Sequence, residues 1–341
     1  MSVPSVAVVI LNWNGKELLS KFLPSVITSI YPNLQLIVGD NASTDHSADY
    51  VREHFPEIKV IENDQNYGFA EGYNRILEKV NADYYVLLNS DVEVPANWIE
   101  PVIRAMEADE RIAVAQPKIK WQMDKTKFEY AGAAGGFLDV HSFPFCRGRI
   151  FDQVETDLGQ YDVAKELFWA SGAAFFIKKQ YWLESGGLDP DLFAHMEEID
   201  LCWRLKNKGY QIIYCPEAEV YHVGGGTLDA SNPYKVFLNF RNNLMIMQKN
   251  LPYGEAIWAI GIRMCIDFVA WLQFLFKGQP QFSAAISKAH YQFVTNIGKT
   301  AAKRERKQLP YAEHTGVYPS SIVWNFYIRK IRKFSQLKGF Q

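Results

Sequence analysis

Cysteine is scarce in this chain: four residues, at positions 146, 202, 215 and 265, with no C-x-x-C pair among them. A disulfide framework and a structural zinc are therefore not expected, and the thiols read as reduced, in a cytosolic protein. Nor is a secretory leader expected, because the apolar run at residues 6–11 is short and has no basic flank. Net charge is nearly absent, -2 over 341 residues, and no recognised nucleic-acid motif occurs, so nucleic acid is not an expected partner. What abounds is apolar: 48% hydrophobic against 22% charged residues excludes a disordered chain and suffices for one large domain with an appendage.

The low net charge hides an asymmetry. Residues 299–341 hold ten Lys or Arg against Glu305 and Glu313, a segment of +8 that leaves -10 on the remainder. Such a segment is expected to meet an anionic surface. The aromatics among its bases, Trp324, Phe326 and Tyr327 beside Arg329, Lys330, Arg332 and Lys333, favour lipid. Residues 256–276 are apolar except for Gly261, Arg263, Asp267 and Gln273, a length that could just cross a bilayer. Arg263 and Asp267 each carry a cost of roughly 2.5–3.5 kcal/mol at a membrane helix centre. Their i,i+4 spacing lets them pair on one narrow stripe, which predicts a helix lying in the interface or packed on the domain rather than a span.

Upstream, apolar runs alternate with helical patterns. Strands are predicted at 5–11, 34–38, 58–62, 83–88 and 112–116, with helices from Gly15 and near 45–54, 70–80 and 95–108. This is the rhythm of a mostly parallel α/β sheet covered by helices. Residues 120–165 lose it and read as an insertion on the acceptor side. A strand at 173–177, a helix over 197–208 and strands at 211–214 and 218–222 follow, and from Pro233 the pattern is helical. The organisation expected is a binding and catalytic domain over 1–232 and a helical, basic region over 233–341.

Chemistry concentrates where strands end. Asp40 closes the second strand and Asn89-Ser90-Asp91 the fourth, so two acids converge on the crest where open α/β sheets bind ligands. A carboxylate such as Asp40 at a strand terminus can accept a pyrimidine ring N–H, whereas Ser43 or Asp45 serves to cap the helix that follows. Residues 66–74, with Asn66, Gly68, Gly72 and Asn74, place bare amides at a loop-to-helix junction suited to phosphate or ribose. Glu197, Glu198 and Asp200 crowd a helix start and cannot share a face; one points to the cleft as a general base while Asp200 pairs with Arg204. His222 ends a strand before Gly224-Gly225-Gly226, a sequence suited to a closing loop. With diphosphate oxygens and water, Asp91 and His222 would make a Mg²⁺ or Mn²⁺ site.

In order, the segments VVILNWNG (8–15), GDNASTD (39–45), NYGFAEGYN (66–74), LLNSDVEV (87–94), ASGAAFFIKK (170–179), MEEIDLCWR (196–204), YHVGGG (221–226) and FRNNL (240–244) resemble glycosyltransferase family 2, the inverting GT-A enzymes, and its rhamnosyltransferase-like bacterial branch. The resemblance covers roughly residues 5–245. It implies a Rossmann-like GT-A fold in which Asn12, Asn14, Asp40, Asn66, Gly68, Asn74, Asn89 and Asp91 hold a nucleotide sugar. It implies Asp91 and His222 at the metal, Glu198 or Glu197 as base, and Trp169, Gly172, Asp200 and Gly224 to Gly226 on the acceptor and lid side. Two departures stand out: Asn89 replaces the first acid of the DxD-like motif, and Glu198 stands where Asp is usual. The expected protein is a cytoplasmic enzyme, peripheral on the inner face of the plasma membrane, that passes a sugar from a UDP- or dTDP-sugar to a lipid-linked glycan. A sugar-nucleotide pyrophosphorylase would want a basic, Gly-rich loop where residues 11–17 read LNWNGKE, and a degenerate glycan-binding scaffold would not keep Asp40, Asp91, Glu198 and His222.

Overall fold

The structure, a computed structural model, describes residues 3–224, 232–337 and 340. The first strands are continuous apolar runs because both their faces are covered. β1 (Val6–Asn12) is followed by α1 (Lys16–Val26), β2 (Leu34–Asp40), α2 (Ser47–His54), β3 (Lys59–Glu62), α3 (Gly68–Leu77) and β4 (Tyr84–Leu88). Alternate residues feed two cores: Val6, Val8 and Ile10 pack towards α1, while Ala7 and Val9 join Tyr73 and Ile76 of α3. β5 (Val92–Glu93), α4 (Glu100–Glu107) and β6 (Ile112–Trp121) come next.

The main sheet then gains β7 (Asp124–Phe128), which folds back on β6. β8 (Gly136–Asp139), β9 (Pro144–Cys146), β10 (Arg149–Ile150) and β11 (Gln153–Val154) form a separate sheet, so the irregular stretch expected as an insertion has its own strands. β12 (Lys165–Glu166), β13 (Ala174–Lys178), α5 (Lys179–Ser185), α6 (Glu197–Asn207) and β14 (Gln211–His222) return to the main sheet. Its order is β12-β14-β6-β13-β4-β1-β2-β3, with β5 on β14. β4, β1, β2 and β3 run parallel, and β13 enters antiparallel to β4, so their carboxyl ends and the loop before β13 meet at one crest. The predicted strands at 211–214 and 218–222 are one strand, irregular between Cys215 and Glu219.

α7 (Pro233–Asn250), α8 (Tyr253–Phe276), α9 (Pro280–Thr295) and α10 (Ile297–Ala302) form the helical region. The segment after them does not hang free as a basic tail. β15 (Val317–Tyr318) adds to β8, α11 (Ile322–Tyr327) follows, and Phe334 and Leu337 are buried in the first core. Several bases of residues 299–341 are spent internally: Lys303 pairs with Asp189 and Asp191, Lys299 of α10 with Asp191, and Arg304 donates to the carbonyls of Gln248 and Leu251.

α8 is turned inside out. Arg263 and Asp267 pair at 2.7 Å on its buried side, where His290 meets Asp267 at 3.1 Å and Phe143 lies under the guanidinium. Trp258, Ile262, Phe268, Val269 and Phe276 face outward, Trp258 being 77% and Phe276 85% exposed. The pair predicted on one stripe therefore fastens α8 to the domain, and only 11% of its most apolar stretch is buried.

Candidate active site

Asp91 and His222 meet because Val92 of β5 pairs opposite His222 at the end of β14. His222 Nε2 lies 3.1 Å from Asp91 Oδ1 and 3.4 Å from Asn89 Nδ2, and its Nδ1 lies 3.3 Å from Glu129 Oε1. All but Asn89 are buried. Burial opposes charge on His222, but the Glu129 and Asp91 carboxylates outweigh it and hold its pKa up at about 10. Burial would likewise raise Asp91, yet the bond to His222 and the Gly224 amide keep its carboxyl below the usual range.

Whether these residues fit a divalent cation turns on the donor set. Among the described residues no group of three His, Cys, Asp or Glu side chains is placed around one ion. Asp91 could supply an oxygen and His222 a nitrogen, the imidazole releasing a proton to do so, while Glu129 Oε1 stands 3.3 Å from the far ring nitrogen. This fits an ion that phosphate oxygens and water complete, and not a closed protein cage. Glu129 escaped sequence reasoning, since it follows β7 in the stretch without periodicity.

The other half of the crest is stitched by amides. Asn12 is buried, and its Nδ2 donates to Asp40 Oδ1 (3.0 Å), Ser43 Oγ (3.1 Å) and Ser47 Oγ (2.8 Å). Asp40 Oδ2 accepts from Ser43 N at 2.8 Å. Asn14, at φ 51°, accepts from Thr44 N at 2.7 Å, so Asn12, Asn14 and Asp40 shape the loops after β1 and β2 from within. Between them Trp13 stands half exposed, a platform on which a base can stack. Gly15 is dictated by space: a Cβ there would fall 2.4 Å from Asn12 Oδ1. Asn66 accepts from Asn41 Nδ2 (2.9 Å) and from Gly68 N (2.8 Å), and Gly68 takes φ 75° against the Phe193 ring.

Asn74 is used up elsewhere. Its amide both donates to Leu188 O (2.8 Å) and accepts from Leu188 N (3.0 Å), pinning that segment to α3. Two expected acceptor residues are likewise structural. Trp169 is buried against Gly136 with its indole N–H on Phe137 O at 3.0 Å, because the second sheet covers it. Asp200 does pair with Arg204 (2.8 Å), but Lys249 (2.8 Å) and Asn250 (2.9 Å) also engage it at zero exposure, leaving nothing for an acceptor. Gly172 lies beside Phe69 at the crest, and Gly224 takes φ 76° against Glu129. Gly225 and Gly226 lie outside the described residues.

Glu197 and Glu198 open α6 after Met196 at φ 74°, and each has an Oε2 that is buried with no hydrogen-bond partner among the described residues. Such orphaned oxygens cost free energy unless a ligand or water uses them. Burial lifts Glu198 to about 7; burial and then the Glu198 charge push Glu197 well above the carboxylate range. Glu197 is buried near Tyr73, whose hydroxyl sits between Leu11 N and Leu88 O at the crest. Glu198 is less covered than Glu197.

The central α/β sheet with its crest and C-terminal helices is the GT-A fold of the glycosyltransferases on which the chain superposes. Residues 7–161 match the family model described as glycosyl transferase family 2. It is 23% identical over 222 residues to the N-acetylglucosaminyl-diphospho-decaprenol L-rhamnosyltransferase of Mycobacterium tuberculosis, covering 60% of this chain and 71% of that protein. Among solved structures it superposes on GalNAc-T7 with UDP, GalNAc and Mn²⁺ at a TM-score of 0.58 and 18% identity, over 73% of this chain but only about half (49%) of that one. The mannosyltransferase PcManGT of Pyrobaculum calidifontis, in complex with GDP-Man and Mn²⁺, follows at 0.53 and 14%, over 86% and 88% of the two chains.

Proposed function

We propose that this protein is an inverting glycosyltransferase that moves a sugar from a UDP- or dTDP-sugar to a hydroxyl of a lipid-linked glycan. The observations that carry the reading are the Asp91–His222 pair at the sheet crest and the buried carboxylate oxygens of Glu197 and Glu198, which have no hydrogen-bond partner among the described residues. The crest loops around Asn12, Asn14 and Asp40, with Trp13, receive the nucleoside. Asp91 and His222 hold a Mg²⁺ or Mn²⁺ ion, which when bound supplies positive charge to the diphosphate. Glu198 removes the acceptor hydroxyl proton as that oxygen bonds to the anomeric carbon. The bond from that carbon to the diphosphate oxygen breaks on the opposite face, its electron pair leaving with the nucleoside diphosphate. A single displacement inverts the configuration. The relative from M. tuberculosis bears a name with a diphospho-decaprenol acceptor, which supports a lipid-linked acceptor here.

The membrane surface enters through α8. A helix that hides its ions and shows Trp258, Ile262, Phe268 and Phe276 is suited to the headgroup boundary of a bilayer. Exposed bases at Arg306, Lys307, Arg329, Lys330 and Lys333 complement an anionic leaflet. Because its other side is fastened to the domain, α8 lies in the interface and does not span it. The test is a panel of UDP-, dTDP- and GDP-sugars with Mn²⁺, Mg²⁺ or chelator, read by thermal shift and donor hydrolysis. Stabilisation and hydrolysis with one donor and a metal are expected; a panel in which no nucleotide sugar binds overturns the reading.

A further inference from the structure

The site just described leaves the FRNNL segment of α7 without a role, yet its side chains reach the turn that precedes the two glutamates. Asn242 is fully buried, and its Nδ2 lies 2.9 Å from Leu192 O, 3.0 Å from Ala194 O and 2.7 Å from His195 O. An amide has two hydrogens, so three carbonyls converge on two donors. Arg241 Nε fixes the orientation of that amide by donating to Asn242 Oδ1 at 2.8 Å, and its Nη2 reaches Asp191 O and Leu192 O. From the other side, Phe69 N (2.9 Å) and Ala70 N (3.2 Å) of α3 donate to Phe193 O. The turn is gripped between two helices.

It needs the grip. Phe193, His195 and Met196 hold φ of 63°, 67° and 74°, and none of them is glycine. Residues in that region cost on the order of 1–3 kcal/mol each and persist only where the surroundings over-determine them. Met196 is also the residue before α6, and it supplies no side-chain cap. The direction of the first turn of α6, and so of both glutamates, follows from these three dihedral pairs.

We propose that Asn242 is a positioning residue for the general base: by gathering the carbonyls of residues 192, 194 and 195 it holds the left-handed turn that sets Glu198 in the cleft. This rests on the assignment of Glu198 made above. A helix start without these positive φ angles would need no such clamp.

The experiment uses the full chain and the nucleotide sugar hydrolysed fastest in the panel, with water as acceptor. Asn242→Ala is expected to keep the donor KM within about threefold while kcat falls about a hundredfold, with the inflection of kcat against pH displaced. Asn242→Ser, which keeps one donor for the same carbonyls, should fall between. Replacing His195 and Met196 by glycine in the Asn242→Ala background should recover part of kcat, because glycine takes the left-handed region without strain. Folded variants with wild-type kcat and an unmoved inflection overturn the proposal, as does failure of both Asn242 variants to fold. If Glu198→Gln hydrolyses donor normally, the assignment of the base fails instead, whatever Asn242 does.

Discussion

Replacing Glu198 by Gln is the sharpest perturbation of the cleft. Burial holds this carboxyl near 7 where a glutamate ordinarily titrates near 4.5, so it is a proton acceptor poised at neutral pH. About a tenth of it is ionised at pH 6 and about nine tenths at pH 8, so transfer should rise about tenfold between those values. Glu198→Gln removes the acceptor while keeping shape, and losing a general base costs about 10²–10⁴ in kcat, or roughly 3–5 kcal/mol of barrier. Glu197 gives the contrast. Burial and then the Glu198 charge push it well above the carboxylate range, which makes it the poorer proton acceptor, so Gln there should leave most activity. The assay is transfer or donor hydrolysis at saturating nucleotide sugar from pH 5.5 to 8.5. A flat wild-type profile, or Glu197→Gln inactive beside an active Glu198→Gln, would refute the assignment.

Asp91→Asn should weaken Mn²⁺-dependent donor binding by at least tenfold in calorimetry, while binding of free UDP in chelator changes little. Glutamate at both Trp258 and Phe276 should release the protein from anionic vesicles in a flotation assay without lowering Tm, since both side chains already face outward. Retention on the vesicles would sink the proposed face of α8. Lys249→Met leaves Asp189 and Asp200 short of a buried cation at 2.6 and 2.8 Å, a loss of about 3–5 kcal/mol, which scanning calorimetry should read as a Tm roughly 5–10 °C lower.

The crest was legible because parallel strands buried on both faces read as unbroken apolar runs, and the residues where they stop are the crest. Asp40 and Asp91 stand out on that ground, but the meeting of Asp91 with His222 comes from β5, which starts just after Asp91 and pairs antiparallel with the end of β14. Side-chain direction was not legible. Asp200 looks like a cleft acid until Lys249, 49 residues later, arrives beside it, and Trp169 looks accessible until Gly136 packs on its ring. Glu129 carries no local pattern; only the fold of β7 onto β6 delivers it to His222. A two-residue strand such as β15 is too short for any periodicity, so the burial of the last segment was hidden too.

That short strand has a consequence for how the chain is made. Its partner edge, β8, is complete at residue 139, but Val317 and Tyr318 arrive only after the whole helical region, and Ile322 N then donates to Asp139 Oδ2. At roughly 5–20 residues per second, the ribosome leaves that edge without its neighbour for about ten to forty seconds. During this interval the apolar side chains of Phe137 and Phe145 lack the Phe334 and Phe340 rings that later cover them. The second sheet is therefore the place where a nascent chain is most exposed to a stray strand from another molecule, and where a holdase would have most to do.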